Sequence, residues 1–107
     1  IAEAEGGRDA ARLAVVNAWR GLVSEWHEAQ RLLQVAESKT QRIRETQLPE
    51  AVAAAERTER LFKQGEADVL ALLAAEETVY TVQESLIEAQ RALGEARIRV
   101  NLLYVPN

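Results

Sequence analysis

The chain has no cysteine. That excludes disulfides and thiolate metal sites. An oxidising compartment tolerates such a sequence without being required by it. Histidine occurs once, at His27. A metal site on that segment would want a second histidine or a carboxylate four residues away, but those positions are Val23 and Arg31. His27 therefore reads as a half-exposed helix residue beside Trp26. There is no run of eighteen apolar residues, so no segment reads as a membrane-spanning helix. Positive charge is not in excess: thirteen Lys and Arg are interleaved with seventeen Asp and Glu, for a net charge of -4. Nucleic acid is not an expected partner. No signal-peptide pattern is present, and the chain begins at Ile1. It reads as a piece of a longer protein whose other parts would carry a targeting signal and any membrane anchor.

Catalytic signatures are lacking too. There is no Gly-rich phosphate loop, no HExxH and no nucleophile elbow. Glu76 and Glu77 are adjacent, and adjacent helix residues point about 100° apart, so they do not form a facing pair. No convergent set of titratable groups emerges. The sequence therefore assigns no catalytic residue, no metal and no cofactor, and the chain reads as a non-enzyme.

What the sequence has is helix. Of 107 residues, 48% are apolar and 28% charged, with aromatics at 5%. Alanine, leucine, glutamate, arginine and glutamine dominate, the composition of long helices and coiled coils. There is no strand-like alternation and no Asn-Gly or Asp-Gly hairpin turn. The expected fold is all-α: one long antiparallel coiled-coil hairpin over residues 1–107. In such an extended shape the apolar seam needs partners.

The first arm is expected over residues 8–62. Residues 1–7 should fray, because Gly6-Gly7 disfavours helix. Val15, Leu22, Ala29, Ala36 and Ile43 recur every seven residues, and Trp19, Trp26, Leu33 and Thr40 follow on the same face. This seam fades toward Thr40 and Gln47. Trp19 and Trp26 share one stripe, read as core packing or as an aromatic patch for a partner. Pro49 biases Leu48 away from the helical region, so a kink or one-residue break is expected at residues 47–49. Glu56–Arg60 and Glu59–Lys63 are favourable pairs on the helix that resumes.

The second arm is expected over residues 68–105. Leu72, Val79, Leu86, Leu93 and Val100 are seven apart, with Ala75, Val82, Ala89, Ala96 and Leu103 as the companion row. A strict seven-residue repeat implies a left-handed supercoil. Pro106 should stop it. The first arm outruns the second by about fifteen residues, so Leu13 to Val23 lack an intrachain partner. The tip lies at residues 63–67, where Gly65 can end one arm in a left-handed conformation and Asp68 can cap the next. A bare glycine backbone at the end of a coiled coil also lets another helix dock closely.

The order of features resembles the periplasmic part of TolC-like outer-membrane efflux proteins. The matching elements are "NAWRGL" (17–22), "LFKQGEADVLALLAAEETVY" (61–80) and "LIEAQRALGEARIRVNLLY" (86–104). The "LPEA" at 48–51 looks most like the heavy-metal cation efflux branch. The resemblance implies a homotrimeric parent whose helical hairpins build an α-barrel in the periplasm of a Gram-negative cell. Its hairpin tips meet a periplasmic adaptor protein and, through it, an inner-membrane pump. The implied contact residues here are Phe62, Lys63, Gln64, Gly65, Glu66, Ala67 and Asp68. Three positions depart from the family pattern. Ala71 stands where an acid often completes a capping box. Phe62 replaces Tyr, and Ala67 stands where some members have Arg. Packing, more than a polar latch, would govern such a tip. Two other readings stand beside this one: the α-hairpin of the adaptor itself, on "RTERLFKQG", and a generic coiled-coil interaction module.

Overall fold

A computed structural model describes residues 2–103. Two long helical arms pack antiparallel in an extended hairpin of 93 × 25 × 14 Å. The first arm is continuous: α1 (Ala2–Arg42), a π turn (Ile43–Gln47) and α2 (Leu48–Lys63). The second is α3 (Val69–Leu103). The expected stop at Pro106 and the last turn to Val105 lie outside the described residues.

Both rows of the second arm face the first. Leu72, Ala75, Val79, Val82, Leu86, Leu93, Ala96, Val100 and Leu103 are half-buried, and Ala89 is buried. The closest approach is at small residues. Thr40 is 2% exposed, and its hydroxyl proton is shared between the Ala36 carbonyl at 2.8 Å and the Ala89 carbonyl at 3.3 Å. The seam therefore does not fade at Thr40, as the sequence suggested. The hydroxyl is satisfied by its own helix, and the small Ala89 lets the two backbones come close enough for its carbonyl to share the same proton.

The Thr40–Ala89 contact sets the register. Moving outward in step, Ala36 stands level with Leu93, Leu33 with Ala96, Ala29 with Val100, and Trp26 with Leu103. Toward the tip, Ile43 stands level with Leu86. Inward positions on this part of the first arm alternate steps of four and three: 29, 33, 36, 40, 43. The next inward residues are Leu48, Ala51, Ala55 and Thr58. From 43 to 48 the step is five, one more than the pattern allows. The second arm has no matching insertion.

The π turn absorbs that extra residue. In a regular α-helix one added residue rotates everything beyond it by about 100°. That would carry Leu48, Ala51, Ala55 and Thr58 off the seam. Here the Leu48 amide donates to the Ile43 carbonyl, five residues back, and the face is kept. Leu48 thus stands level with Val82, Ala51 with Val79, Ala55 with Ala75, and Thr58 with Leu72.

The expected kink near Pro49 is present and takes the form of this π turn at Ile43–Gln47, without a break in the helix. Leu48 stays helical (φ -67, ψ -48), so Pro49 does not drive it out of that region. Proline brings two difficulties to a helix interior: a missing donor and a ring pressed against the carbonyl four residues back, here Glu45. Glu45 lies inside the π turn, where the wider backbone gives that ring room.

The start of the first arm also differs from expectation. It is helical from Ala2, through Gly6 and Gly7. Each glycine costs about 1 kcal/mol relative to alanine, but extending an established helix adds one hydrogen bond for each residue fixed. The overhang is therefore longer than about fifteen residues. Residues 2–25 run past the level of Leu103, roughly 36 Å at about 1.5 Å per residue. Of the two expected surface pairs, Glu59–Lys63 forms at 3.2 Å. Among the described residues Glu56 and Arg60 do not close to ion-pair distance, whereas Glu28–Arg31 and Glu88–Arg91 do.

Candidate functional site

The hairpin tip is where local sequence determines geometry most tightly. The first arm ends in a Schellman motif. Gly65 has φ +76, the left-handed region that glycine enters without strain. The Glu66 amide donates to the Leu61 carbonyl at 2.8 Å, and the Gly65 amide to the Phe62 carbonyl at 3.0 Å. The Gln64 amide reaches the Arg60 carbonyl at 3.1 Å, and the Ala67 amide shares the Leu61 carbonyl at 3.2 Å. The Arg60, Leu61 and Phe62 carbonyls are thus satisfied within three residues of the helix end.

The second arm starts from Asp68. Its carboxylate accepts from the Ala71 amide at 2.8 Å, and its carbonyl accepts the first helical bond from Leu72 at 3.3 Å. Aspartate is among the best residues for this position, and its charge suits the positive end of the helix dipole. With alanine at 71, no side chain reaches back, so the cap is one-sided.

Of the seven residues assigned to the tip, Phe62, Lys63, Gln64, Gly65, Glu66 and Asp68 are exposed and Ala67 is half-buried. They lie together at one end of the molecule. Lys63 is the last residue of α2 rather than the first of the turn. A Cβ placed on Gly65 would meet nothing within 4 Å. The glycine is required by its backbone angle, and the space above it is open.

Behind the tip a shallow groove runs between α2 and α3, lined by Val52, Ala55, Glu56, Glu59, Glu76 and Val79. Glu76 thus lines this groove with Glu56 and Glu59 of the opposite arm. Among the described residues no group of three or more His, Cys, Asp and Glu side chains is arranged to hold a metal ion. His27 is exposed, its ring edge-on to Trp26 with centroids 5.2 Å apart. No described helix is long and apolar enough to cross a membrane.

Two apolar surfaces remain open. On α3, Leu73, Tyr80 and Ile87 are exposed and seven residues apart. This flanking row was not anticipated, although the same heptad count reveals it one position after the seam. On α1, Leu13, Val15, Val16, Trp19 and Leu22 are exposed, with Trp19 at 59%. Trp26 is half-buried at the level of Leu103, so the two tryptophans differ in cover. No family model, curated protein or solved structure matches this chain.

Proposed function

We propose that this hairpin is a periplasmic α-barrel segment of an outer-membrane efflux channel, whose tip docks with a periplasmic adaptor of a tripartite pump. The observation that carries this reading is the tip itself. A glycine held at φ +76 by its own backbone bonds faces open space at the far end of a rigid two-helix arm. Such an end offers bare backbone at Gly65 to an approaching helix without a Cβ in the way. The exposed row Leu73, Tyr80 and Ile87 supports the same reading, because it leaves a flank for a neighbouring hairpin of a trimeric parent. The resemblance to the metal-cation branch suggests a metal-cation or drug pump, with the substrate selected elsewhere in the assembly. The chain would then contact neither nucleic acid nor the bilayer directly.

The test is binding of a purified adaptor hairpin. Gly65→Asn keeps a residue that tolerates the left-handed conformation and adds a side chain to the docking face. Gly65→Trp adds a larger one. Both variants should stay helical by circular dichroism and lose adaptor capture, the Trp variant completely. Unchanged capture by Gly65→Trp would overturn the reading.

A further inference from the structure

The outer face of α3 is a second surface, turned away from the first arm. Leu73, Tyr80 and Ile87 form its apolar row, at 54%, 63% and 59% exposed. The same seven-residue step leads next to Gly94. A Cβ there would meet nothing within 4 Å, so the row ends in an open notch. Charged residues flank the row on both sides. Glu76 and Arg97, three heptads apart, share the side nearer the first arm. Glu84 and Arg91, one heptad apart, share the other. On each side the acid lies toward the tip and the base toward the far end. Among the described residues Glu76, Glu84 and Arg97 close no ion pair, and Arg91 meets only Glu88, at 3.6 Å.

We propose that this face pairs with the same face of a second copy, antiparallel about a two-fold axis at Ile87. Residues equally far from Ile87 on opposite sides then stand level. Tyr80 lies over the Gly94 notch of the second copy, and Ile87 packs on its own copy. Residues 71–103 of the two helices overlap, which is nearly the whole of α3. A two-fold axis sets each flank against the same flank. Glu76 therefore stands beside Arg97 of the second copy, and Glu84 beside its Arg91, each within one residue of level. Each pair occurs twice. Glu56 and Glu59, which line the groove with Glu76, add to the field that receives Arg97.

The charges select both direction and register. A parallel two-fold pair would set every charge against its own copy. Sliding the antiparallel pair by one heptad sets Glu84 against its own copy, and sliding it the other way does the same to Arg91. The other charges of α3 do not alter this choice. Glu88 stays with Arg91, and Arg99 lies on the far side of the helix. Glu77 approaches Glu95 of the second copy only at the rim, where both carboxylates stay in water and are screened.

Leu73, Tyr80, Ile87 and Ile98 expose roughly 500 Å² on each copy, and the stems of the flanking side chains bring the pair to about 1,200 Å², the lower end for a specific interface. The association is therefore weak and concentration-dependent. It belongs to the chain by itself and does not rest on the channel reading.

Sedimentation velocity from low micromolar to near-millimolar concentration should show a monomer–dimer equilibrium. Ile87→Arg should be monomeric throughout with unchanged helical signal. Arg91→Glu should raise the dimer Kd about tenfold, since two ion pairs are lost by symmetry. Glu84→Arg/Arg91→Glu should restore it. The chain has no cysteine, so single cysteines report single sites. A short bis-maleimide should join Ile87→Cys chains, whose cysteines meet at the axis. It should not join Leu73→Cys chains, whose cysteines lie roughly 42 Å apart at about 1.5 Å per residue. A monomer at every concentration, a trimer, association untouched by Ile87→Arg, efficient joining of Leu73→Cys, or failure of the charge swap to rescue would each overturn the proposal. None of these results bears on adaptor capture at Gly65, so the two readings fail separately.

Discussion

Deleting Arg44 separates the two causes that meet in the π turn. Arg44 is exposed, and its removal shortens the inward step from Ile43 to Leu48 from five residues to four. A regular α-helix would then carry Leu48, Ala51, Ala55 and Thr58 along the seam without any widened turn. The heptad side of the problem is solved, but the proline side is exposed. Pro49 would sit in a regular helix with its ring against the Glu45 carbonyl, at a cost of about 3 kcal/mol. For a chain of this size that lowers Tm by roughly 10–20 °C. Adding Pro49→Ala to the deletion should return stability to within about 1 kcal/mol of the parent, because alanine restores the donor and removes the clash. Pro49→Ala alone should change stability by less than about 1 kcal/mol, since the extra residue still demands the wide turn. Thermal unfolding followed at 222 nm, at one fixed protein concentration, measures all three. Deletion of the exposed Ala53 is the control: it rotates Ala55 and Thr58 off the seam and should not be rescued by Pro49→Ala. If the Arg44 deletion is as stable as the parent, or if Pro49→Ala fails to rescue it, the π turn does not serve to absorb one extra residue.

Other changes read single contacts. Asp68→Ala removes the acceptor for the Ala71 amide and should cost about 1 kcal/mol, with Asp68→Asn costing less, by thermal unfolding. Gly65→Ala forces a Cβ into the left-handed region and should cost about 1–2 kcal/mol through strain alone, because its surroundings are open. Thr40→Leu should overpack the closest approach of the arms and destabilise by about 1–3 kcal/mol, while Thr40→Val should be milder. The Arg31 guanidinium, by hydrogen bond and then by charge, holds the Glu28 carboxyl below the usual glutamate range. That small stabilisation is present above the ordinary glutamate pKa and is lost as pH falls through the lowered value. Carboxyl NMR titration should show Glu28 returning to the usual range in Arg31→Gln.

The second arm was legible because its repeat is unbroken. Ten residues seven apart in two rows leave one face that can be buried, and that face meets the first arm. The tip was legible for a different reason. Gly65 and Asp68 act through their own backbone and nearest neighbours, so the caps follow from local chemistry. The first arm was harder to read at its middle. Pro49 draws attention to itself, and the kink expected beside it is there, but its form as a π turn does not follow from the proline alone. The better signal lay in the spacing of Ile43, Leu48, Ala51, Ala55 and Thr58, which shows one residue too many. Reading it needs the partner arm, because only an uninterrupted opposite strip makes the extra residue a problem. The burial of Thr40 was hidden similarly: threonine looks like the end of an apolar row until Ala89 is placed opposite it. The helical start through Gly6 and Gly7 depends on propagation from the following turns, which propensity summed residue by residue does not capture.

We propose that an adaptor meets this hairpin at its tip and not along the arms. A photo-crosslinking side chain at Gln64, exposed at the tip, compared with one at Gln83, exposed midway along α3, tests this directly. In the presence of a purified periplasmic adaptor hairpin, the Gln64 probe should give a covalent adduct and the Gln83 probe should give none. Equal labelling from both positions, or labelling from Gln83 alone, would contradict it.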